Sequence, residues 1–298
     1  MIRLLSRTVL SLVASAGLMV GPAFAAPETA PPALRSAATQ AVRALDLSYQ
    51  VFAGGLHIFD FDVELALRDG AYTIAAQGAT KGMVGWIYKW NVKMESEGIA
   101  RSDGFRPFRY DTVTDWQGEP KSMRLTFLPR GEYDVARTPP EPVDAEDEEE
   151  LPKALPADVV DPLSLALVAA QSLAETGRCD QTLPVFDGKR RYNLIIGHLG
   201  KGHVEPNRYS IYHGPAVRCR FAMERISGFS KKRRYASQWD EEKDAPPVIW
   251  LAKVREGFPP VPVRYEGTIA LGNIVIHLTR AEVRAEVAEV PTRQLPAQ

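Results

Sequence analysis

Apolar and polar residues alternate with a period of two along most of the chain beyond residue 44. The segments "LDLSYQVFAGGL", "IFDFDVELALRDG" and "AYTIAAQGAT" have this alternation, and each ends near glycine, at Asp-Gly or in a polar cluster. Successive side chains of a β-strand point to opposite faces of a sheet. The pattern therefore predicts antiparallel strands that are connected by short turns.

The same alternation continues through "WIYKWNVKMESEG", "FRPFRYDTVTDWQGEP" and "SMRLTFLPRG". Trp86, Tyr88 and Trp90 are spaced two residues apart, so a strand would place all three rings on one face. Such rings either line a pocket or pack inside a curved sheet. We expect packing, because aromatic side chains mostly serve as core residues.

A helical pattern separates these strands from a second group. In "DPLSLALVAAQSLAETG", Asp161 suits the N-cap, Pro162 the first helical position and Gly177 the C-terminal cap. Apolar residues recur every three or four positions from Leu163 to Ala174. We therefore expect a helix that lies against the sheet.

Strands are predicted again after Cys179. The segments are "RRYNLIIGHL", "NRYSIYHG", "AVRCRFAME", "PPVIWLAKV", "PVRYEGTIALGNIVIHLTR" and the shorter "RAEVAEV". Asp187-Gly188 predicts an ordinary turn before the first of them. Gly272-Asn273 separates two apolar runs and predicts a tight two-residue hairpin.

Two charged segments interrupt the strands. Residues 139–157 combine prolines with an acidic run, and residues 230–247 combine a basic run with acids. Clustered like charges and prolines oppose a packed strand, so both segments are predicted to be solvated loops. The sequence thus predicts one β-rich domain at 45–288, with a flexible leader at 26–44 and a tail at 289–298.

The first 25 residues have the composition of a secretory signal peptide. Two arginines precede an apolar run from Thr8 to Val20, and small residues follow at Ala23 and Ala25. The run is shorter than the roughly 20 residues that span a bilayer. We therefore expect cleavage before Ala26, export of the chain and no transmembrane segment in its mature form.

The net charge is small. Removal of the signal would leave 36 − 2 = 34 basic residues against 37 acidic ones, a formal charge of −3. Such a balance gives no reason to expect nucleic acid as a partner. Hydrophobic residues make up 45% of the chain, which is enough for a real core.

Cys179 and Cys219 are the two cysteines of the chain. Oxidising compartments favour disulfides, so in an exported protein we expect these two to pair. The alternative is a reactive thiol, which requires a nearby histidine and a lowered thiol pKa. The histidines at 198, 203 and 213 have no recognisable catalytic spacing.

Motifs of common enzymes are missing from the sequence. It contains no Gly-x-Ser-x-Gly elbow, no His-Glu-x-x-His or Cys-x-x-Cys pair and no glycine-rich phosphate loop. Asp60 and Asp62 share a strand face as a possible carboxylate pair, although exposed strand residues alternate in this way by default. His57 and His277 meet only if the first and last strands adjoin, and two histidines alone make a poor metal site. We assign no catalytic, cofactor or metal residues.

Several short motifs, in order, resemble the bacterial exported family of unknown function numbered 3108. They are "YQVFAGGL", "GFRPFRY", "DPLS", Cys179 followed by "VFDGKRRY", "HGPAVRCR", "VIWLAK" and "PVRYEG". The resemblance covers roughly Leu45 to Arg280 and implies an envelope-associated, periplasmic protein. No catalytic residues are established for the family.

In design, the chain is similar to periplasmic envelope-integrity proteins whose strands curl into a β spiral, and more distantly to lipoprotein-carrier half barrels. This analogy implies a mainly β fold in which a strongly bent antiparallel sheet, a half barrel or β spiral, wraps one central helix.

The function that we expect is non-enzymatic support of the cell envelope. The protein would hold a partner protein or an apolar, lipid-like ligand, without a cofactor. One alternative is a periplasmic hydrolase with an unrecognised site among His57, Asp60, His213 and His277. Another is a pure interaction module that uses the two charged loops.

Overall fold

A computed structural model describes residues 41–68, 70–101, 104–140, 150–229, 246–269 and 272–287. The predicted signal peptide, the leader up to residue 40 and the predicted tail lie outside the described residues. So do residues 141–149 and 230–245, which hold about half of the predicted loop 139–157 and nearly all of the predicted loop 230–247.

The first half of the described fold contains seven strands and one short helix. They are β1 (Ala41–Ala53), β2 (Leu56–Arg68), β3 (Ala71–Thr80), α1 (Gly82–Ile87), β4 (Trp90–Arg101), β5 (Gly104–Trp116), β6 (Glu119–Phe127) and β7 (Tyr133–Thr138). A single 3-10 turn at Pro129–Gly131 separates β6 from β7. The predicted alternation is confirmed here, with one exception at α1, and β1 begins inside the predicted leader.

The second half contains one helix and six strands. They are α2 (Ser164–Thr176), β8 (Gln181–Phe186), β9 (Arg191–Val204), β10 (Gly214–Ser227), β11 (Val248–Ala252), β12 (Val261–Ile269) and β13 (Gly272–Val287). The prediction of a strand in "NRYSIYHG" is wrong, because Asn207 folds that segment into a turn by accepting hydrogen bonds from the N–H groups of Tyr209 and Ser210. The hairpin prediction is shifted, since Gly272 already pairs with Ile269 inside the ladder.

All of the described strands belong to one 13-stranded antiparallel sheet in the order β7-β6-β5-β4-β3-β2-β1-β13-β12-β11-β10-β9-β8. The first and last strands are neighbours near its middle, where Leu45 pairs with Val283. Each half of the chain is otherwise a run of consecutive antiparallel strands.

The two edge strands of this sheet approach each other. Edges of a flat sheet of this size would lie roughly 60 Å apart, because neighbouring strands are about 4.8 Å apart. Instead, the rings of Tyr133 on β7 and Phe186 on β8 have centroids 4.8 Å apart. Val160 donates to Pro184 of β8 at 2.9 Å, and Leu155 donates to Gly131 beside β7 at 2.8 Å. The segment before α2 therefore joins both edges of a curved sheet.

Helix α2 begins at Ser164 after an N-cap at Leu163, so the predicted positions of Asp161 as N-cap and Pro162 as first helical residue are wrong by two residues, although Asp161 still binds N–H groups at the start of the helix. The Asp161 carboxylate accepts hydrogen bonds from the backbone N–H groups of Leu163 and Ser164 at 2.8 and 3.0 Å. Gly177 follows the helix in the left-handed conformation, with φ at 71°.

The apolar residues of α2 contact both halves of the sheet. Leu167 belongs to a buried cluster with Leu45 of β1 and Leu278 of β13. Leu173 belongs to another cluster, with Cys179 and Leu251. The helix is thus held by the core side chains of strands that are distant in sequence.

Cys179 and Cys219 form a disulfide, with their Cα atoms 6.3 Å apart. Both side chains are fully buried. The bond links the segment after α2 to β10, as the sequence predicted.

Candidate functional site

Five large side chains stand out from one end of the sheet and form what we call the aromatic tip. Its members are Met83, Trp86, Ile87, Tyr88 and Trp116, with exposed fractions of 73%, 89%, 63%, 52% and 50%. Apolar residues so exposed and so close together mark interaction sites more often than isolated exposed ones do. The aromatic tip is therefore the candidate functional site.

The prediction that Trp86, Tyr88 and Trp90 share one face of a strand is wrong. The chain turns into helix α1 at Gly82, whose φ of 56° is in the left-handed region that favours glycine. A side chain at Gly85 would meet the Thr80 carbonyl oxygen at 2.9 Å, so the turn of α1 packs closely on the end of β3. Trp86 is consequently solvent-exposed instead of packed in the core.

Hydrogen bonds fix α1 on the strand ends. The Thr80 hydroxyl donates to the Tyr88 carbonyl at 2.8 Å and accepts from the Trp90 N–H at 3.1 Å. The Gln117 side-chain amide donates to the Ile87 carbonyl at 2.8 Å. Because these bonds restrain the backbone, the tip side chains are presented from an ordered base.

Ring contacts distinguish the base of the tip from its outer surface. Trp90 packs on Phe59, with centroids 5.2 Å apart, and Tyr88 lies beside Trp116 at 6.1 Å. Trp86 has no ring partner within the described residues. The most exposed ring of the tip is therefore the one without an aromatic neighbour among the described residues.

The charges around the tip are mostly lysines and engaged carboxylates. Lys81 lies 3.9 Å from Asp60, and Asp115 accepts a hydrogen bond from the Gly118 N–H at 2.8 Å. Lys89 and Lys121 are exposed and make no ion pair within the part of the chain that the structure describes. Glu119, also exposed, lies at the start of β6.

A groove of about 830 Å³ crosses strands β1 to β7 and β13, away from the tip. Its walls carry charges that neutralise one another. Arg284 binds Asp46 at 2.6 Å and Glu64 at 2.5 Å, while Arg124 binds Asp111 at 2.7 Å. The carboxylates of Asp46 and Glu64 hold the pKa of Arg284 above its ordinary range. The charged part of the lining is thus largely paired within the chain, while apolar side chains such as Met94, Val113 and Met123 make up much of the rest.

The predicted polar candidates are only partly brought together. His57 and Asp60 form a hydrogen-bonded pair at 2.5 Å. Asp62 instead accepts from the Ser48 hydroxyl at 2.5 Å, so the two aspartates bind different partners. His213 is exposed at the start of β10.

His277 is buried near the other predicted histidine. Its ring stacks on Tyr209 at 5.5 Å and meets the edge of Phe52 at 5.8 Å, and Phe52 in turn lies 5.2 Å from His57. Burial lowers the pKa of His277; the charge of Arg264 lowers it further, while Glu266 acts in the opposite sense. The first and last strands do adjoin, as a meeting of His57 and His277 requires, but the ring of Phe52 lies beside both histidines.

One polar cluster escaped sequence analysis. Asp161 is fully buried and accepts hydrogen bonds from the hydroxyls of Ser96 at 2.7 Å and Ser164 at 2.5 Å. The Tyr72 hydroxyl and the Ser164 hydroxyl share a further bond at 2.6 Å. Burial raises the pKa of Asp161, whereas its hydrogen bonds act to lower it. With no access for a substrate, this cluster anchors α2.

The described residues contain no group of three or more His, Cys, Asp or Glu side chains that could hold a metal ion. Neither described α-helix has the length and apolar character needed to cross a membrane.

Fold and surface together define a disulfide-bonded, mainly β protein that is built on one curved antiparallel sheet and has an exposed aromatic tip. A family model described as "Protein of unknown function (DUF3108)" matches residues 48–279. The chain belongs to this DUF3108 family.

A solved structure is also similar to the chain. It is a beta-barrel-like protein of domain of unknown function DUF1849 from Brucella abortus, 12% identical, with a TM-score of 0.46; the match covers 82% of this chain and 98% of that one. No curated protein matches the chain.

Proposed function

We propose that this is a non-enzymatic protein of the bacterial periplasm that supports the cell envelope by binding an apolar surface through its aromatic tip. The observation that carries the proposal is the exposure of Trp86 at 89% and Met83 at 73% on an ordered helix. Unpartnered side chains of this size favour burial against another molecule. The secretory signal predicted at residues 1–25 supports the location.

The scaffold of the proposal is a bent sheet that wraps α2. Support comes from the contacts of Ser164 with β3 and β4 through Tyr72 and Ser96, and from those of Leu173 with Leu251 on β11. Because residues of α2 lie in the core clusters, core side chains already occupy the space where an interior ligand would lie. This arrangement favours a function at the surface over a function in a cavity.

A second candidate function is hydrolysis, and one observation favours it. The 2.5 Å contact of His57 with Asp60 is the geometry by which a carboxylate orients a catalytic histidine. A nucleophile or bound water would have to complete such a site.

One experiment separates the two functions. In a strain that lacks the gene, a variant with Met83→Ser and Trp86→Ser is compared with His57→Ala. We expect the tip variant to leave the cells sensitive to detergents and cell-wall antibiotics, because its binding surface is gone. The His57→Ala protein should restore resistance.

Immunoblots of periplasmic fractions provide the control, since both proteins must accumulate to the same level. Full rescue by the tip variant would contradict the proposal. Rescue by the tip variant together with failure of His57→Ala would favour hydrolysis.

A further inference from the structure

We propose that the aromatic tip inserts into the headgroup region of a phospholipid bilayer, an inference that rests on the proposed function and names the surface that the tip binds. The first argument is shape. Trp86 and Met83 project from a helix of six residues at the end of the sheet and are among the most exposed large apolar side chains of the described residues. A protein partner would need a matching pocket for each projecting side chain, whereas a bilayer accommodates them without one.

The second argument is the kind of residue present. Tryptophan and tyrosine have apolar rings with a polar N–H or O–H group, and they concentrate where a bilayer meets water. Trp86, Tyr88 and Trp116 supply three such rings, and Met83 and Ile87 supply purely apolar groups between them. This combination is typical of a surface that reaches the acyl boundary without spanning the membrane.

The third argument is charge complementarity. Lys89 lies two residues after the end of α1, and Lys121 lies on β6 next to the strand that carries Trp116. Of the nearby carboxylates, Asp60 and Asp115 already have partners in the chain, so Glu119, which pairs with Trp116 across β5 and β6, is the exposed acid that offsets one of the two lysines. The two ammonium groups still outnumber this acid and are available to phosphate groups, and their long stems allow them to reach headgroups beside the inserted rings.

Vesicle flotation tests the proposal with the purified, disulfide-bonded protein. Vesicles of phosphatidylcholine alone are compared with vesicles that also contain phosphatidylglycerol. Loss of a tryptophan side chain that the bilayer would bury costs more binding free energy than a tenfold change in affinity represents. Met83→Ser with Trp86→Ser should therefore weaken binding to both kinds of vesicle about tenfold or more. The matched control is Ile226→Ser on β10, whose side chain is 47% exposed and which should bind like the wild type.

The lysines give a second readout. Lys89→Gln and Lys121→Gln should each weaken binding to the phosphatidylglycerol vesicles about fivefold, since a basic residue near an anionic surface contributes about 1 kcal/mol. Binding to phosphatidylcholine alone should change less.

Two results would overturn the bilayer inference. The first is absence of wild-type binding to either vesicle, and the second is equal binding of the wild type and the tip variant. If either occurs while the tip variant still fails to protect cells, the proposed function stands and the tip binds a protein instead. If the tip variant protects cells fully, the proposed function itself fails.

Discussion

Trp86 and Asp161 are both exceptions to the usual distribution of side chains, because a large apolar group is exposed at one and a carboxylate is buried at the other. Trp86 is 89% exposed on α1, whereas Asp161 is 0% exposed before α2. Asp161 has its partners within the chain, with two hydroxyls and two backbone N–H groups that donate to it. The exposed face of Trp86 has no comparable partner among the described residues.

The difference indicates where stability and function lie. A buried carboxylate whose hydrogen bonds are satisfied inside the fold stabilises the fold, because its removal leaves the buried donors around it unsatisfied. An exposed ring contributes little to folding, so its value must come from another molecule. Changes near α2 should therefore unfold the protein, and changes in the tip should leave it folded.

The largest effect on stability is expected from the disulfide that follows α2. Its ends are 40 residues apart, and closing a loop of this length contributes about 4 kcal/mol to the free energy of unfolding in the chain-entropy estimate. Cys179→Ala with Cys219→Ala should lower that free energy by a similar amount in urea titrations. The far-ultraviolet spectrum should stay rich in β structure.

Alkylation of the wild type provides the check on this prediction. Protein taken from the periplasm should incorporate no alkylating reagent until it is reduced. Free thiols in that protein would mean that the bond does not form in the cell.

A smaller loss is expected at the buried carboxylate. Asp161→Ala removes the acceptor for four donors, of which each unsatisfied one costs about 1–3 kcal/mol, and relief from burying a charge offsets part of this; we expect a net loss of about 3 kcal/mol. Asp161→Asn retains one acceptor oxygen and should lose about 1 kcal/mol. Equal stability of both variants would show that the hydrogen bonds of Asp161 do not anchor α2.

The stabilities of the wild type and of Asp161→Asn should also respond differently to pH. Because burial raises the pKa of Asp161 in the folded state, that state binds more protons than the unfolded chain above a pH of about 4. The contribution of Asp161 to stability is therefore greatest at or below the unfolded pKa and is lost as pH rises through the folded pKa. The free energy of the wild type minus that of Asp161→Asn should decrease with rising pH across this window.

The smallest effect on stability is expected in the tip. Trp86→Ser should change the free energy of unfolding by less than about 0.5 kcal/mol, because an exposed side chain that packs on no core residue rarely contributes more. Phe59→Ala, which removes the ring that packs on Trp90, is the matched comparison and should destabilise the protein clearly. A large loss for Trp86→Ser would mean that the tip serves the fold.

Local patterns were enough to predict most of the sheet and the capping of α2. Alternation determines which residues form strands, and Asp161 and Gly177 carry capping chemistry that depends on few neighbours. The disulfide was predictable because only two cysteines are present. No local pattern specifies that β1 pairs with β13 or that the edges meet.

The candidate site was missed for a related reason. Trp86, Tyr88 and Trp90 have strand spacing, but Gly82 turns the backbone before them, and a glycine signals this possibility only weakly. The burial of Asp161 also depends on Tyr72 and Ser96, which come from strands about 65 or more residues earlier. Contacts over such distances are decided by the tertiary structure.

The neighbouring positions of the first and last strands have a consequence for how the chain folds. If β13 were joined to β1 and the chain opened after β7, the strand order would become a simple up-and-down meander in which every strand follows its neighbour. In the natural connectivity, the pairing of Leu45 with Val283 closes a loop of more than 200 residues. Loop-closure entropy opposes so distant a contact, and non-local pairing slows folding. Two meanders can therefore form early from local hairpins, but they become one sheet only when the last strand finds the first.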